Sequence, residues 1–187
     1  MKDGSPAAVN HGMGGSTAED LLYRVGIPLV RSLPRSELPG WVDWDLVELM
    51  LWELLGNAAA HSGDRPIRLS AKSSGPDRLL ISIENSSPTD LPEDLYRQHS
   101  LPPETASGTL GLGLSVVRMG AAAHGGSLLL SQGPGGSIRA LLSLTLAREP
   151  DKPRLNSFPV DRSAFPTPLV FLSSVLPAED YDLRDLL

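Results

Sequence analysis

The sequence predicts a two-layer α/β sandwich, with one mixed, mostly antiparallel sheet carrying helices on one face. Three observations predict it. Residues 43–62 carry apolar side chains at helical spacing, two pairs of short segments alternate apolar and polar residues across tight turns, and a third helical segment separates those pairs. Read in order, the elements are helix, helix, strand, strand, helix, strand, strand, a mixture that buries its apolar faces most simply as helices on a sheet.

The first helix is announced by Ser16-Thr17-Ala18-Glu19, which has the form of a capping box, and by Leu21, Leu22, Val25 and Leu29 at helical spacing. Pro28 and Pro34 limit it. Asp43 can cap a second helix whose apolar face carries Leu46, Val47, Met50, Leu51, Leu54 and Leu55, and Gly63 sits just past its end. Ile67, Leu69 and Ala71 then alternate with Arg68, Ser70 and Lys72. After a turn at Ser74-Gly75-Pro76-Asp77 comes Leu79-Leu80-Ile81-Ser82-Ile83. A polar, proline-marked stretch covers residues 86–107. A glycine-rich turn opens a helix over residues 113–123, stopped by Gly125-Gly126. Leu128-Leu129-Leu130, the turn Gly133-Pro134-Gly135-Gly136 and the alternating residues 138–146 form a closing hairpin.

Composition narrows the classes. With 187 residues, 41% hydrophobic and 20% charged, the chain is long enough for one domain with a real core. Sixteen basic against 22 acidic residues give a net charge of −6, which argues against a nucleic-acid partner. The absence of cysteine excludes disulfides, thiolate zinc sites and thiol catalysis. No apolar run reaches the ~18 residues that span a bilayer, so the expectation is a cytoplasmic chain without membrane insertion. Four glycines in the first fifteen residues mark residues 1–15 as a disordered tail. Six prolines between residues 150 and 177 mark an irregular extension, so the domain is placed at residues 16–148 and the extension at 149–187.

Three constellations could carry chemistry. Glu53, Asn57 and His61 lie four residues apart, on one helical face beside the leucine stripe. A carboxylate, an amide oxygen and an imidazole in a row could hold a hydrated Mg²⁺, a hard ion that prefers oxygen and keeps several waters. An ordinary solvated helix face is the plain alternative. The run Gly108-Thr-Leu-Gly111-Leu112-Gly113-Leu114-Ser115 joins a glycine-rich turn to a helix start, where exposed amides favour a phosphate. It does not follow a strand, which counts against a dinucleotide fingerprint and leaves a structural turn as the other reading. Asn85 leaves the end of a strand, where a side chain can face a pocket or form a turn.

The order and spacing of ELLGNAAAHS and GTLGLGLSVVRMGAAAHGG make residues 43–146 resemble the histidine-kinase-type ATPases, which include gyrase B, heat-shock chaperone and mismatch-repair ATPases. The resemblance implies a Bergerat-type ATP-binding fold and an ATP-dependent protein histidine kinase with Mg²⁺. Asn57 would be the Mg²⁺-binding asparagine, and Glu53 would hold a metal-bound water or act as base. His61 would lie near the phosphates. Gly108, Gly111 and Gly113 would frame the triphosphate, with Leu112 and Leu114 at the helix start, and His124 would be a structural helix-end residue. The implied partners are a phosphoacceptor domain or a response-regulator-type protein.

The sequence departs from the family pattern at several places. A lysine common just before the histidine is Ala60 here. The adenine-contacting aspartate aligns with Asn85, and two glycines align with Ser87 and Thr89, which crowd the base. An amide keeps an acceptor but loses charge assistance, worth on the order of 1 kcal/mol or tenfold in affinity. All three phenylalanines (Phe158, Phe165 and Phe171) fall after the domain, so a phenylalanine-containing lid motif is missing. None of His11, His61, His99 and His124 precedes a long helix with an acidic partner, so the acceptor histidine is expected on another domain or protein. A serine kinase of the anti-sigma type acting in trans, or a non-catalytic binding module of the same fold, remain alternatives. Leu155, Phe158, Val160, Phe165, Leu169, Val170, Phe171 and Leu172 give the extension apolar weight, which predicts that it packs on the domain or on a partner.

Overall fold

The computed structural model describes residues 15–35, 40–87, 110–147, 171–172 and 174–177. Helix α1 (Gly15–Arg24) leads into strand β1 (Leu29–Ser32), and helix α2 (Trp44–Ser62) follows. Strands β2 (Ile67–Ser73) and β3 (Arg78–Ser86), helix α3 (Leu110–Ala123), and strands β4 (Ser127–Gln132) and β5 (Ser137–Thr145) complete the order. The sheet runs β1-β2-β3-β5-β4. Only β1 against β2 is parallel; the other three pairings are antiparallel. The expected mixed, mostly antiparallel sheet is therefore present, with one strand more than the sequence predicts.

That extra strand corrects the first helix. α1 stops at Arg24, because Gly26 takes a left-handed conformation (φ 79°) open to glycine at little cost. Gly26 N–H donates to Tyr23 O (3.0 Å) and Ile27 N–H to Leu22 O (2.9 Å), the two bonds of a Schellman cap. Leu29 is thus not on the helix. It begins β1, in register with Ile67.

The other elements follow local chemistry. Asp43 caps α2 by accepting from Leu46 N–H at 3.1 Å. Along β3, Leu79, Ile81 and Ile83 are buried at a period of two, and they meet Leu144, Leu142 and Ala140 of β5. This inner face packs with Val47, Met50, Leu51, Leu54 and Leu55 of α2 and with Leu114, Val117 and Ala121 of α3 in one core. The opposite face carries polar pairs such as Glu84 and Arg139, bridged at 2.8 Å. Trp41 and Ala147 exchange two backbone bonds (2.9 and 3.0 Å) and tie the two ends of this unit together.

Leu172 (0% exposed) and Leu176 (7%) belong to the same core, with Phe171 and Val175 partly buried against it. This part of the extension packs on the domain. Its carbonyl at Phe171 lies so close to α2 that a Cβ at Gly56 would come within 2.5 Å of the oxygen. Phe158, Phe165 and Thr89 lie outside the described residues, as do His11, His99 and nearly all of the proline-marked stretch at 86–107. Among the described residues, no helix is long and apolar enough to cross a membrane.

Candidate functional site

Helix α2 runs under the sheet with its leucine stripe inward, so a row one position off that stripe falls at the boundary between core and solvent. Asn57 is half-buried in that row, one turn before His61, which is exposed. Asn85 is placed by β3. It continues the buried face of Leu79, Ile81 and Ile83, and is itself only 6% exposed. From the other side comes Leu114 of α3, 5% exposed.

These three elements border one shallow cleft, open to solvent, that encloses about 60 Å³. Asn57, His61 and Asn85 are its polar side chains. Its walls are apolar, from Leu54 and Ala58 on α2, Ile83 on β3, Leu114 on α3, Leu130 on β4, and Ile138 and Ala140 on β5. A lining that is mostly apolar with a few convergent polar groups suits a small organic ligand. Sequence reasoning did not reach the β4 and β5 wall residues, although the alternation of Ile138, Ala140, Leu142 and Leu144 marks the face they share.

Glu53 lies one turn before Asn57 and does not border the cleft. Its carboxylate sits against the α-carbon of Gly113, where a Cβ would overlap it. Burial raises its pKa above the ordinary value of 4.5. Seven residues further along α3, about two turns, Gly120 admits Met50 and Leu46 in the same manner, so small residues on α3 let the two helices approach closely.

The glycine-rich helix start is placed differently from the expectation. α3 begins at Leu110, so Gly111, Leu112 and Gly113 lie in its first turn rather than ahead of it. The contact with Glu53 is what a helical glycine gains here, against its cost of about 1 kcal/mol in helix propensity. The N–H groups of residues 110–112 have no acceptor within the helix, which makes this end favourable for an anion. Gly108 and the side chain of Leu112 lie outside the described residues.

His124 is away from the cleft. Its Nε2 accepts from Asp43 N–H (3.1 Å) and its Nδ1 meets Gly120 O (2.9 Å), a pair of contacts that requires the neutral ring protonated at Nδ1. It ties the start of α2 to the end of α3. Gly125 caps that helix with φ 60°, through Gly125 N–H to Ala122 O and Gly126 N–H to Ala121 O.

The donor set suits Mg²⁺ in one particular form. Asn57 Nδ2 is buried without a hydrogen-bond partner, an arrangement costing about 1–3 kcal/mol until a ligand satisfies the amide. Its Oδ1 is a hard oxygen donor, and amide orientation can exchange the two atoms. No group of three or more histidines or carboxylates able to hold a metal exists among the described residues. The residues therefore fit an ion that arrives with phosphate and keeps its waters, rather than one held in a protein cage.

Comparison with known proteins agrees with this geometry. The fold matches the nucleotide-free catalytic domain of histidine kinase ThkA at 21% identity and TM-score 0.64, covering 75% of this chain and 95% of that one. It also matches the Acinetobacter baumannii histidine kinase AdeS (23% identity, TM-score 0.54, 74% of this chain and 64% of that one). Full-length ShkA in complex with AMPPNP matches at 18% identity and TM-score 0.61, over 76% of this chain and 31% of that one. No curated protein sequence matches the chain. The model of the family described as histidine kinase-, DNA gyrase B- and HSP90-like ATPase matches residues 42–148, more than half of the sequence. Together with the α/β fold and the cleft between α2, β3 and α3, this establishes that the chain belongs to the histidine kinase-, DNA gyrase B- and HSP90-like ATPase family.

Proposed function

We propose that this domain binds Mg-ATP in the cleft between α2, β3 and α3, and transfers the γ-phosphoryl group to a histidine supplied by another domain or protein. The observation that carries the reading is the shared cleft: apolar walls for a planar base, Asn85 at its buried end, and Asn57 with an unsatisfied amide at the polar row. Bound Mg²⁺ would neutralise charge on the β- and γ-phosphates. Asn57 would hold that ion through Oδ1. The free amides of residues 110–112 would donate to phosphate oxygens, and His61 at the cleft would add a polar contact. Glu53, made more basic by burial, would orient a water on the ion or accept a proton. In the transfer, the bond from the γ-phosphorus to the β–γ bridging oxygen breaks, a bond to the acceptor nitrogen forms, and ADP leaves.

Among the described residues, His61 borders the cleft and His124 is engaged at both ring nitrogens. Neither of these two is placed as a phosphoacceptor, which supports an acceptor supplied by another domain or protein and equally suits a serine kinase acting in trans. The phosphorylated product separates the two, because phosphohistidine is acid-labile and phosphoserine acid-stable. A binding module without transfer would give Mg-ATP affinity and no product. The binding step is tested by calorimetric titration of Mg-ATP into the wild type and Asn57→Ala. Saturable binding that weakens at least tenfold in the variant, and falls likewise when EDTA removes the metal, is expected. An unaltered titration in Asn57→Ala would overturn the metal assignment.

A further inference from the structure

The cleft is built from apolar side chains except at three places, and two of these, Asn57 and His61, belong to the single row on α2. The third stands apart. Asn85 sits at the end of the inner face of β3, opposite Ile138 of β5, and is more than nine-tenths buried. Its recorded hydrogen bond runs from Nδ2 to Ser86 O at 3.4 Å, close to the outer limit for such a contact. A buried amide this weakly held has both its acceptor and its donors to offer to whatever fills the cleft.

We propose that Asn85 makes the cleft accept purines of either 6-substitution, 6-amino and 6-oxo alike; the inference rests on the Mg-nucleotide reading of the site. A 6-aminopurine presents a donor at the exocyclic nitrogen beside an acceptor at N1. A 6-oxopurine presents the reverse, an acceptor oxygen beside a donor N1–H. A carboxamide carries one acceptor beside donors, so it matches the first edge in one orientation and the second after a half-turn about its terminal bond. That half-turn gives up the long 3.4 Å contact to Ser86 O and turns the amide oxygen toward that carbonyl, a small cost at such a distance. A carboxylate at this position would be different. It offers acceptors alone, and would set a negative oxygen against the 6-oxo group, a repulsion strengthened by burial.

The phosphate end of either nucleotide stays at the polar row and the free amides of α3, so only the base edge is in question. The open remainder of the wall is hydrocarbon and distinguishes the two bases by shape alone, which is nearly identical for adenine and hypoxanthine. Inosine triphosphate is therefore the appropriate probe, since it changes the 6-position without adding the 2-amino group of guanine.

Calorimetric or fluorescence-competition titrations of the full chain with Mg-ATP and Mg-ITP test the proposal. The wild type is expected to bind the two within about tenfold of each other, the difference of roughly one neutral hydrogen bond. Asn85→Asp is expected to widen the preference for Mg-ATP to a hundredfold or more. Asn85→Leu, close in volume and without a charge to bury, is expected to weaken both about equally. A wild type that takes Mg-ATP and rejects Mg-ITP by more than a hundredfold would overturn the inference while leaving the nucleotide site intact. So would unaltered affinities in Asn85→Leu. Binding of neither nucleotide would overturn both the inference and the reading beneath it.

Discussion

Substituting Gly56 with alanine reads out whether the extension truly rests on the helix that carries Asn57. Gly56 lies mid-way along α2 with helical backbone, so on propensity alone alanine should stabilise the domain by about 1 kcal/mol. The structure reverses that sign. An alanine Cβ would stand 2.5 Å from the carbonyl oxygen of Phe171 and 3.4 Å from its carbon, and the obstacle is backbone rather than a side chain that could rotate away. Ordinary carbon–oxygen contacts lie near ~3.3–3.6 Å, so the segment must retreat by roughly 1 Å. A gap of that size over the fully buried Leu172 forfeits about a quarter to a half of its dispersion contacts, in line with the ~1–3 kcal/mol of a tight core insertion. Set against the propensity gain, the net loss is about 1 kcal/mol. Urea unfolding followed by circular dichroism at constant slope measures it. Leu172→Ala, expected to cost about 2–5 kcal/mol by itself, loosens the segment and should relieve the clash, giving a coupling of roughly 1 kcal/mol in a double-mutant cycle. If Gly56→Ala stabilises by about 1 kcal/mol in both backgrounds, the packing argument is wrong.

Two further perturbations probe the helix pair. Gly113→Ala places a methyl where the Glu53 carboxylate sits; because that carboxylate ends a flexible side chain, the melting temperature should hold or rise slightly while phosphoryl transfer or ATP turnover falls at least tenfold. Unchanged turnover would contradict the role given to Glu53. Glu53→Gln removes an acid whose folded pKa is raised by burial, so the wild type loses stability as pH climbs from the ordinary value of 4.5 through the raised one. The variant should therefore melt higher than the wild type at pH 7 and equal to it near pH 4, as followed by calorimetry; a gap that persists at low pH would show another cause.

Legibility of the fold followed how local each determinant is. α2 could be read to its ends, because Asp43, the leucine stripe and Gly63 all lie within its own sequence. β2, β3 and β5 alternate strictly enough to show their faces. β1 could not be read: only Leu29 of its four residues is buried, so it has no alternation, and its pairing with β2 is contributed from more than thirty residues away. The helical spacing of Leu29 with Leu21 and Val25 was misleading, and Gly26 was the signal that outweighed it. In the site, Asn85 was legible as a polar residue closing an apolar period of two. The seat of Glu53 on Gly113 was not, since a helix–helix approach leaves no mark in either sequence segment alone. The same holds for Phe171 on Gly56, although the apolar weight of the extension announced that it would pack somewhere.

Side-chain amide resonances offer the sharpest test of a magnesium-nucleotide cleft. The chain has only four asparagines, Asn10, Asn57, Asn85 and Asn156, so their NH₂ signals can be assigned by single substitutions. Titrating the ¹⁵N-labelled protein with Mg-AMPPNP should move the Asn57 and Asn85 signals together and saturably, along with the backbone amides of residues 110–112, and leave the ring of His124 undisturbed. Nucleotide-induced shifts that spare both asparagines would contradict the account.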